Sequence, residues 1–539
     1  MVQLKGDPVD LTLPENFNLS EHLVDRHVHG GRGDSIAYIQ AETGVAVTYS
    51  QLLERISKAG NGLLDLDVEI EDRIGMILPD SIEYVEALLG AIRIGAQPVL
   101  LSTLESPQFY EFVLNDCLAK VLIVHANLFD KVRQGIHRLE HLKSVVVVGG
   151  VEGIEDDRTV SYERIVGSAS GVLQAEQLHR DDFCYWQYSS GTTGSPKGVI
   201  HYQHDPVYSC ETYYRHILQM SSKDINFSTS KIFFAYGLGN TVWAPLYFGA
   251  SAVLMSSPPD PEFVLKTIER FGVTLFFSVP VFYSRILAYT DSHGAANFNL
   301  SSVRYCVSAG EALPASIYYR WKEYFGKDIL DGIGTTEMCH IFVSNRPDKI
   351  KPGTSGVVVP GYEVKIVDDQ MREVGYGEAG RLLVKGGSTA AMYWRRHEKT
   401  KEHFLGEWFY TGDLYVADTE GFLKHVGRAD DLIKSGGVWV SPVEVESAIL
   451  SHPAVLECAV VQGYTADGLG RPKAYVVLKS GYAGSDELAD EIKKHVLDKL
   501  GASYKAPTWV IFTGDLPKTP TGKIQRFKLR EVRPPEVSA

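Results

Sequence analysis

The sequence predicts an α/β protein with a large N-terminal domain of mainly parallel α/β subdomains plus a small β region, followed by a small α+β C-terminal domain. Short apolar strands alternate with apolar-faced helices up to about residue 310, as expected for parallel strands joined by crossovers. After about Val357 the strands become shorter and glycine-punctuated, which favours antiparallel pairing. Beyond Gly427-Arg-Ala-Asp430, about 110 residues have helices and strands of their own.

The first half of the chain is built of repeated strand and helix patterns. An amphipathic start at 17–24 precedes a strand pair at 36–39 and 45–48, and a helix with apolar residues on one face begins at Tyr49. Pro79-Asp80-Ser81 is a helix-start signal, and Gly95 a stop signal, for the next helix. The predicted elements that follow are strands 73–78, 98–101, 121–124, 145–148, 252–255, 274–278 and 303–308, and helices 82–94 and 261–271.

The last third of the sequence has a different pattern of predicted elements. Its predicted elements are strands 362–367, 380–384, 421–426, 458–461, 474–478 and 509–512, and helices 442–450 and 487–500. No repeat of fixed period is present, which argues against a solenoid.

Composition and charge exclude several classes of protein. The 539 residues are 44% hydrophobic and 22% charged, as in a globular protein, and the formal net charge of −14 argues against nucleic-acid binding. We find neither a leader-like start nor an apolar run of about 18 residues, so we expect a cytoplasmic protein without a membrane partner. The six cysteines form no C-x-x-C pair, which favours buried free thiols over disulfides or a zinc site.

The segment Tyr188-Ser-Ser-Gly-Thr-Thr-Gly-Ser-Pro-Lys-Gly198 contains small, hydroxylated and glycine residues and ends near a lysine. Such a segment lets backbone N–H groups, hydroxyls and an ammonium converge on a polyphosphate. It lacks the Walker A spacing, because glycine follows the lysine where a magnesium-binding hydroxyl would stand. The alternative is a flexible surface turn.

Four further motifs follow in order: Gly332-Ile-Gly-Thr-Thr-Glu337, Tyr410-Thr-Gly-Asp413, Gly427-Arg-Ala-Asp-Asp431 with Ile433-Lys-Ser-Gly-Gly437, and Pro517-Lys-Thr-Pro-Thr-Gly-Lys523. With the phosphate loop, they make the chain resemble, over nearly its whole length, the adenylate-forming superfamily of acyl-CoA synthetases, adenylation domains and luciferases. In that superfamily a carboxylate attacks the α-phosphorus of ATP, giving an acyl-adenylate and pyrophosphate, and a thiol then attacks the activated carbonyl.

The resemblance implies an ATP site and a catalytic set. Lys523 would bridge the attacking carboxylate and the α-phosphate, while Thr336 and Glu337 would serve the α-phosphate and a Mg²⁺ ion held by Glu337. Asp413 would accept hydrogen bonds from the ribose, and Arg428 would add a second ribose contact. The β- and γ-phosphates would be held by Ser190, Gly191, Thr192, Thr193, Gly194 and Lys197, and the adenine slot would be formed by Gly310, Glu311, Ala312, Asp331 and Gly332; Thr335 is a further ATP-binding candidate.

The resemblance also implies a domain swing and a thiol substrate, coenzyme A. Residues 1–429 would bind ATP and the acid, and residues 430–539 would move about a hinge at Asp430. The coenzyme A thiol arm would pass Lys434, Ser435, Gly436 and Gly437.

The acyl-binding segments resemble those of benzoate-type CoA ligases. The candidate walls are Phe234, Ala235, Tyr236, Ala309, Ile333, Gly334 and His340, and Gly332 adjoins them. Aromatic and small residues suit a planar ring better than a long alkyl chain. Tyr236 and His340 would hydrogen-bond a ring hydroxyl, which keeps 4-hydroxybenzoate beside benzoate; alternatively both are core residues with satisfied polar tips.

The predicted function is an AMP-forming aryl-CoA ligase of aromatic acid degradation that uses ATP, Mg²⁺ and coenzyme A on an aromatic carboxylate, as a monomer or homodimer. One alternative is a free-standing adenylation enzyme that loads a carrier protein. The others are a luciferase-like oxygenase and a nucleotide-binding regulator without catalysis; the regulator leaves Lys197, Glu337, Asp413 and Lys523 together unexplained.

Overall fold

The computed structural model describes residues 1–151, 157–190, 196–428, 431–435, 438–465, 469–518 and 524–530. The predicted α/β architecture is confirmed. In chain order the strands are β1 Gln3–Lys5, β2 Ile36–Gln40, β3 Ala46–Thr48, β4 Arg73–Ile77, β5 Gln97–Leu100, β6 Val121–His125, β7 Ser144–Val148, β8 Thr159–Ser161, β9 Phe183–Ser190, β10 Pro196–Tyr202, β11 Ile225–Ser228, β12 Ser251–Leu254, β13 Leu275–Ser278, β14 Tyr305–Ser308, β15 Ile329–Gly334, β16 Ile341–Ser344, β17 Val357–Val358, β18 Glu363–Val367, β19 Ala379–Lys385, β20 Met392–Tyr393, β21 Phe404–Leu405, β22 Trp408–Ala417, β23 Leu423–Arg428, β24 Ile433–Ser435, β25 Val438–Val440, β26 Val455–Tyr464, β27 Gly470–Leu478 and β28 Trp509–Phe512.

The α-helices lie between these strands and cover the sheets. In chain order they are α1 Leu19–His27, α2 Tyr49–Leu64, α3 Ile82–Arg93, α4 Pro107–Asp116, α5 Asp130–Arg133, α6 Tyr162–Ser168, α7 Asp205–Ser209, α8 Ala235–Leu238, α9 Ala244–Phe248, α10 Pro261–Phe271, α11 Pro280–His293, α12 Ala315–Phe325, α13 His397–His403, α14 Pro442–Leu450 and α15 Asp486–Leu500. Within the described part, no helix combines the length and the apolar character needed to cross a bilayer.

Two large sheets dominate the N-terminal part. One has the order β20-β10-β9-β5-β4-β6-β7-β8 and the other the order β17-β16-β15-β14-β13-β11-β12-β2-β3. The central pairs of both sheets are parallel, whereas β9 with β10 and β15 with β16 are antiparallel. Loops at the carboxyl ends of parallel strands commonly carry ligand sites, and the candidates Gly310, Glu311 and Ala312 follow β14 at such an end.

The small antiparallel region predicted after residue 357 is a six-stranded sheet. Its order is β1-β18-β19-β22-β21, with β23 paired to β22. The C-terminal segment forms a β24-β25 hairpin and a β26-β27-β28 sheet, and Ile433, Val445, Val460 and Ile492 belong to an apolar cluster of its own. This separate core supports our proposal of a second domain, whose boundary at 429 and 430 lies outside the described residues.

Helix α10 shows why some predicted bounds agree with the structure at both ends. Asp260 accepts a hydrogen bond from the Phe263 N–H, Pro261 occupies the first turn, and Gly272 ends the helix at φ 64°. In contrast, α11 and α12 were not predicted. Their N-cap residues, Val279 and Pro314, make no side-chain capping bond, and Pro280 in the first turn of α11 is a start signal that the sequence analysis did not use.

All six cysteines are buried and free, as predicted. Cys184, Cys210 and Cys339 share one apolar cluster and the other three lie in three further clusters, where a thiol packs as a small apolar group.

Candidate active site

The phosphate-loop motif joins two antiparallel strands. Ser190 at the end of β9 is opposite Pro196 at the start of β10, and Lys197 is opposite Ser189. The loop candidates Gly191, Thr192, Thr193 and Gly194 lie outside the described residues, as does the side chain of Ser190. The hairpin therefore brings both ends of the motif to one edge of the sheet.

Lys197 lies over the ring of Tyr393, with its Nζ 4.2 Å from the ring centroid. Burial lowers the pKa of this lysine, and the negative charge of Glu337 opposes the change. A partly desolvated ammonium interacts strongly with an anion such as pyrophosphate. Lys197 thus presents a partly desolvated ammonium beside Tyr393 and Glu337, and its phosphate contact stays a prediction.

Glu337 contacts the hydroxyl group of the same tyrosine, Tyr393. It belongs to a short 3₁₀ turn, Thr336–Met338, and is buried. The Tyr393 hydroxyl donates to its Oε1 at 2.6 Å, and burial together with this carboxylate raises the pKa of Tyr393. Tyr393 therefore connects the predicted phosphate lysine to the predicted metal carboxylate, a role that the sequence analysis missed.

The Thr336 carbonyl is anchored to the strand that carries Lys197. His201 Nε2 donates to Thr336 O at 2.7 Å, and His201 Nδ1 lies 2.6 Å from Asp205 Oδ2. Both side chains are fully buried. His201 follows Lys197 by four residues on the same face of β10, a spacing that the sequence analysis did not use. The buried pair therefore fixes the Thr336–Met338 turn relative to the phosphate hairpin.

Asp413 and Arg428 face each other across β22 and β23. Asp413 Oδ1 lies 3.5 Å from Arg428 Nη1 and 3.5 Å from His425 Nε2. Gly412 takes φ 82°, and a Cβ atom there would lie 2.7 Å from Arg428 Nη2. The arrangement brings together the two side chains that the sequence assigns to the ribose.

Replacing Asp413 with Asn is expected to raise the KM for ATP about 10- to 100-fold, because a hydrogen bond to a charged acceptor contributes about 1.5–3 kcal/mol. The KM for the aromatic acid is expected to stay within about threefold. Initial-rate measurements with each substrate varied in turn check this; an unchanged KM for ATP contradicts the ribose assignment.

The predicted adenine slot lies beyond β14 and along β15. Asp331 Oδ2 accepts the Leu313 N–H at 3.3 Å, whereas Asp331 Oδ1 and Thr335 Oγ1 are buried without hydrogen-bond partners in the described part of the chain. Burial raises the pKa of Asp331. Buried polar atoms without partners favour a ligand site. The neighbouring candidates Glu311 and Ala312 are half-buried and Gly310 is exposed with φ 92°.

Two glycines of the motif are required by close backbone packing. A Cβ at Gly332 would lie 2.8 Å from Val343 O, and one at Gly334 would lie 2.5 Å from His340 O. No side chain fits these distances without backbone movement. Ile333 between them stays half-exposed.

The acyl candidates form aromatic and small surfaces. Phe234, Ala235 and Tyr236 are half-buried while residues on both sides are buried, so they line accessible space. The Tyr236 ring stacks on the His340 ring at 5.6 Å, and the Tyr236 hydroxyl donates to Val307 O at 3.1 Å. Ala309 is buried.

His340 lies behind Tyr236. Its Nε2 lies 2.9 Å from the hydroxyl of Tyr214, which donates to Asn240 Oδ1. Burial lowers the pKa of His340 to about 3, so the ring is neutral near pH 7. His340 is three residues from Glu337, so one segment serves both the phosphate side and the acyl side of the candidate site.

Part of the predicted coenzyme A path is described. Lys434 and Ser435 lie in β24, where Lys434 is exposed and Ser435 donates to Tyr504 O at 2.9 Å. Gly436, Gly437, the hinge candidate Asp430 and the catalytic candidate Lys523 lie outside the described residues.

Comparison with known families identifies the class to which this fold and site belong. Residues 24–394 match the family model of the AMP-binding enzyme, and residues 444–523 match that of the AMP-binding enzyme C-terminal domain. The chain belongs to the AMP-binding enzyme family, which confirms the resemblance predicted from the five motifs.

Individual relatives match over nearly their whole length. The benzoate–CoA ligase of Thauera aromatica is 42% identical over 97% of each chain. The 4-hydroxybenzoate–CoA/benzoate–CoA ligase of Rhodopseudomonas palustris is 39% identical over 96% of this chain and 94% of that one. The crystal structure of the anthranilate CoA ligase AuaEII in complex with anthranoyl-AMP superposes with a TM-score of 0.90 at 41% identity, covering 96% of this chain and 97% of that one.

Proposed function

We propose that this protein is an AMP-forming aryl-CoA ligase that converts benzoate or a hydroxybenzoate, 4-hydroxybenzoate included, into its coenzyme A thioester at the expense of ATP. The observation that carries the proposal is the single segment 336–340. Glu337 at its start faces Tyr393 and Lys197, and His340 at its end packs against Tyr236 of the candidate acyl pocket. This segment would set a nucleotide phosphate beside a planar acid, and the relatives named above are ligases of benzoate, 4-hydroxybenzoate or anthranilate.

In the first half-reaction, a carboxylate oxygen of the acid attacks the α-phosphorus of ATP. The bond to the β-phosphate oxygen breaks, and pyrophosphate leaves with that electron pair. Lys197 stabilises the leaving pyrophosphate, Thr336 contacts the α-phosphate, and Lys523 neutralises the charge that gathers between acid and phosphate. Asp413 and Arg428 hold the ribose, and the buried carboxyl of Asp331 lies at the adenine slot.

The residues present fit a Mg²⁺ ion. Within the described ranges, no group of three or more His, Cys, Asp or Glu side chains forms a metal cage. Mg²⁺ is commonly bound by one or two carboxylates together with substrate phosphates and water, and Glu337 supplies one such carboxylate. When bound, the ion neutralises phosphate charge. Glu337 would hold the ion, and the Tyr393 hydroxyl orients this carboxylate through Oε1.

In the second half-reaction, the coenzyme A thiol attacks the carbonyl carbon of the aroyl-adenylate and AMP leaves. A swing about Asp430 exchanges Lys523 for the β24 hairpin, so that the thiol arm enters beside Lys434, Ser435, Gly436 and Gly437. The proton of the thiol is released as the thioester forms.

A panel of acids tests this function. We expect ATP- and coenzyme A-dependent AMP release with benzoate, 4-hydroxybenzoate and other small ring-substituted benzoates, and little release with cinnamates or fatty acids of short or medium length. Release of ADP, or activity confined to alkyl acids, overturns the proposal. AMP release that requires a carrier protein instead of coenzyme A identifies an adenylation enzyme acting on a carrier.

A further inference from the structure

A partly buried lysine lies at the start of the segment that carries the aromatic acyl candidates, residues 230–237, here termed the acyl wall. Lys231 Nζ donates to Ser257 O at 2.8 Å and also to Met255 O. Both carbonyls follow the carboxyl end of β12 in the nine-stranded sheet. Lysine is seldom buried unless it is paired, so the ammonium ties the acyl wall to this sheet.

Asp80 binds the acyl wall from the other sheet. It follows β4 of the eight-stranded sheet and is almost fully buried. Its Oδ1 accepts the N–H of Ile232 at 3.0 Å, and its carbonyl accepts the Ser256 hydroxyl at 2.9 Å. Burial raises the pKa of Asp80 to about 6, and the Lys231 ammonium opposes this rise.

The acyl wall folds back on the main chain of Lys231. The Phe234 N–H donates to Lys231 O at 3.0 Å, and a Cβ at Gly237 would lie 2.0 Å from the same oxygen. The main chain of Lys231 therefore contacts both ends of the turn that presents Phe234, Ala235 and Tyr236. A shift of Lys231 moves these three residues together.

We propose that Lys231 and Asp80 are positioning residues for the aromatic substrate, because they fix the acyl wall between the carboxyl ends of both sheets and so set the width of the ring pocket. This inference rests on the proposed aryl-CoA ligase function. A displacement of about 1 Å in a positioning element costs up to about 10²-fold in activity. Within the described ranges, the side-chain hydrogen bonds of Lys231 and Asp80 go to Met255, Ser257 and Ile232 and not to the nucleotide candidates, so we expect the effect to fall on the acid.

Lys231→Met keeps the length of the side chain and removes the ammonium. We expect the KM for benzoate to rise about 10-fold or more, with the KM for ATP within about twofold of wild type. The ratio of kcat/KM for benzoate to that for 4-hydroxybenzoate is also expected to shift, because a loosened acyl wall no longer holds the ring pocket at the width that distinguishes the two acids. Lys266→Met is the control, since Lys266 is exposed and pairs only with Glu262 on its own helix among the described residues.

Asp80→Asn supplies a second variant if Lys231→Met does not fold. It keeps a carbonyl oxygen for the Ile232 N–H and removes the charge, so we expect a rise of about three- to tenfold in the KM for benzoate alone. Equal changes in both KM values, or unchanged KM values and substrate ratio at a lowered thermal midpoint, overturn the inference and leave a purely structural role. Absence of benzoate-dependent AMP release in the wild-type enzyme instead refutes the proposed function.

Discussion

Replacing Glu337 with Gln is expected to lower the rate of aroyl-adenylate formation about 10²- to 10³-fold, the loss typical of removing one preorganised charge-stabilising group from an active site. The substitution keeps the size of the side chain and an oxygen that accepts the Tyr393 hydroxyl, which lies 2.6 Å from Oε1. It removes only the negative charge. Because a carboxamide binds Mg²⁺ more weakly than a carboxylate, the dependence on Mg²⁺ is expected to shift to higher concentration.

Benzoate-dependent ATP–pyrophosphate exchange at several Mg²⁺ concentrations measures this effect. Glu262→Gln is the matched control, because Glu262 lies on the surface of α10 and pairs with Lys266. Thermal midpoints of both variants show whether the fold is preserved. An exchange rate for Glu337→Gln within about threefold of wild type at every Mg²⁺ concentration would falsify the metal assignment.

The surroundings of Glu337 show which residues of the site can be predicted from the sequence. The motif around Glu337 was recognised from its residues, and so was Lys197, 140 positions earlier in the chain. Tyr393, which lies between them, belongs to a two-residue strand without a sequence motif. His201 and Asp205 were missed for a similar reason, since their role depends on the carbonyl of Thr336, 135 residues away. Contacts set by tertiary packing leave little local signal.

In the fold, the bounds of an element were predicted correctly where the local sequence carries clear start and stop signals. Helix α14 was predicted with both ends because Ser441 caps it and Pro442 starts its first turn. Strand β14 begins at Tyr305 and not at Val303 as predicted, because the Val303 N–H bonds to Leu300 O in a turn. Apolar residues continue across that turn, so hydrophobicity alone does not mark the start of the strand.

Replacing Lys523 with Ala is expected to abolish aroyl-adenylate formation, with a loss greater than about 10³-fold, while thioester formation from supplied aroyl-adenylate stays within a few fold of wild type. The lysine lies outside the described residues, but both ends of its segment are described. Lys518 pairs with Ile524 in an antiparallel bridge, and the Gln525 N–H donates to Pro517 O at 2.8 Å. The described residues on either side of 519–523 therefore lie next to each other.

Ion pairs hold described residues on both sides of 519–523 to the rest of the C-terminal segment. Arg526 Nη2 lies 2.7 Å from Glu446 Oε2, and Lys518 Nζ lies 2.5 Å from Glu457 Oε2. Lys518→Ala is thus the matched control, since it removes a lysine from the same segment whose charge is already paired. Adenylation is measured by pyrophosphate release and thioesterification by consumption of synthetic aroyl-adenylate with coenzyme A. Equal loss in both assays for Lys523→Ala places the lysine in a step common to both, and then a swinging C-terminal domain no longer explains how one site serves two reactions.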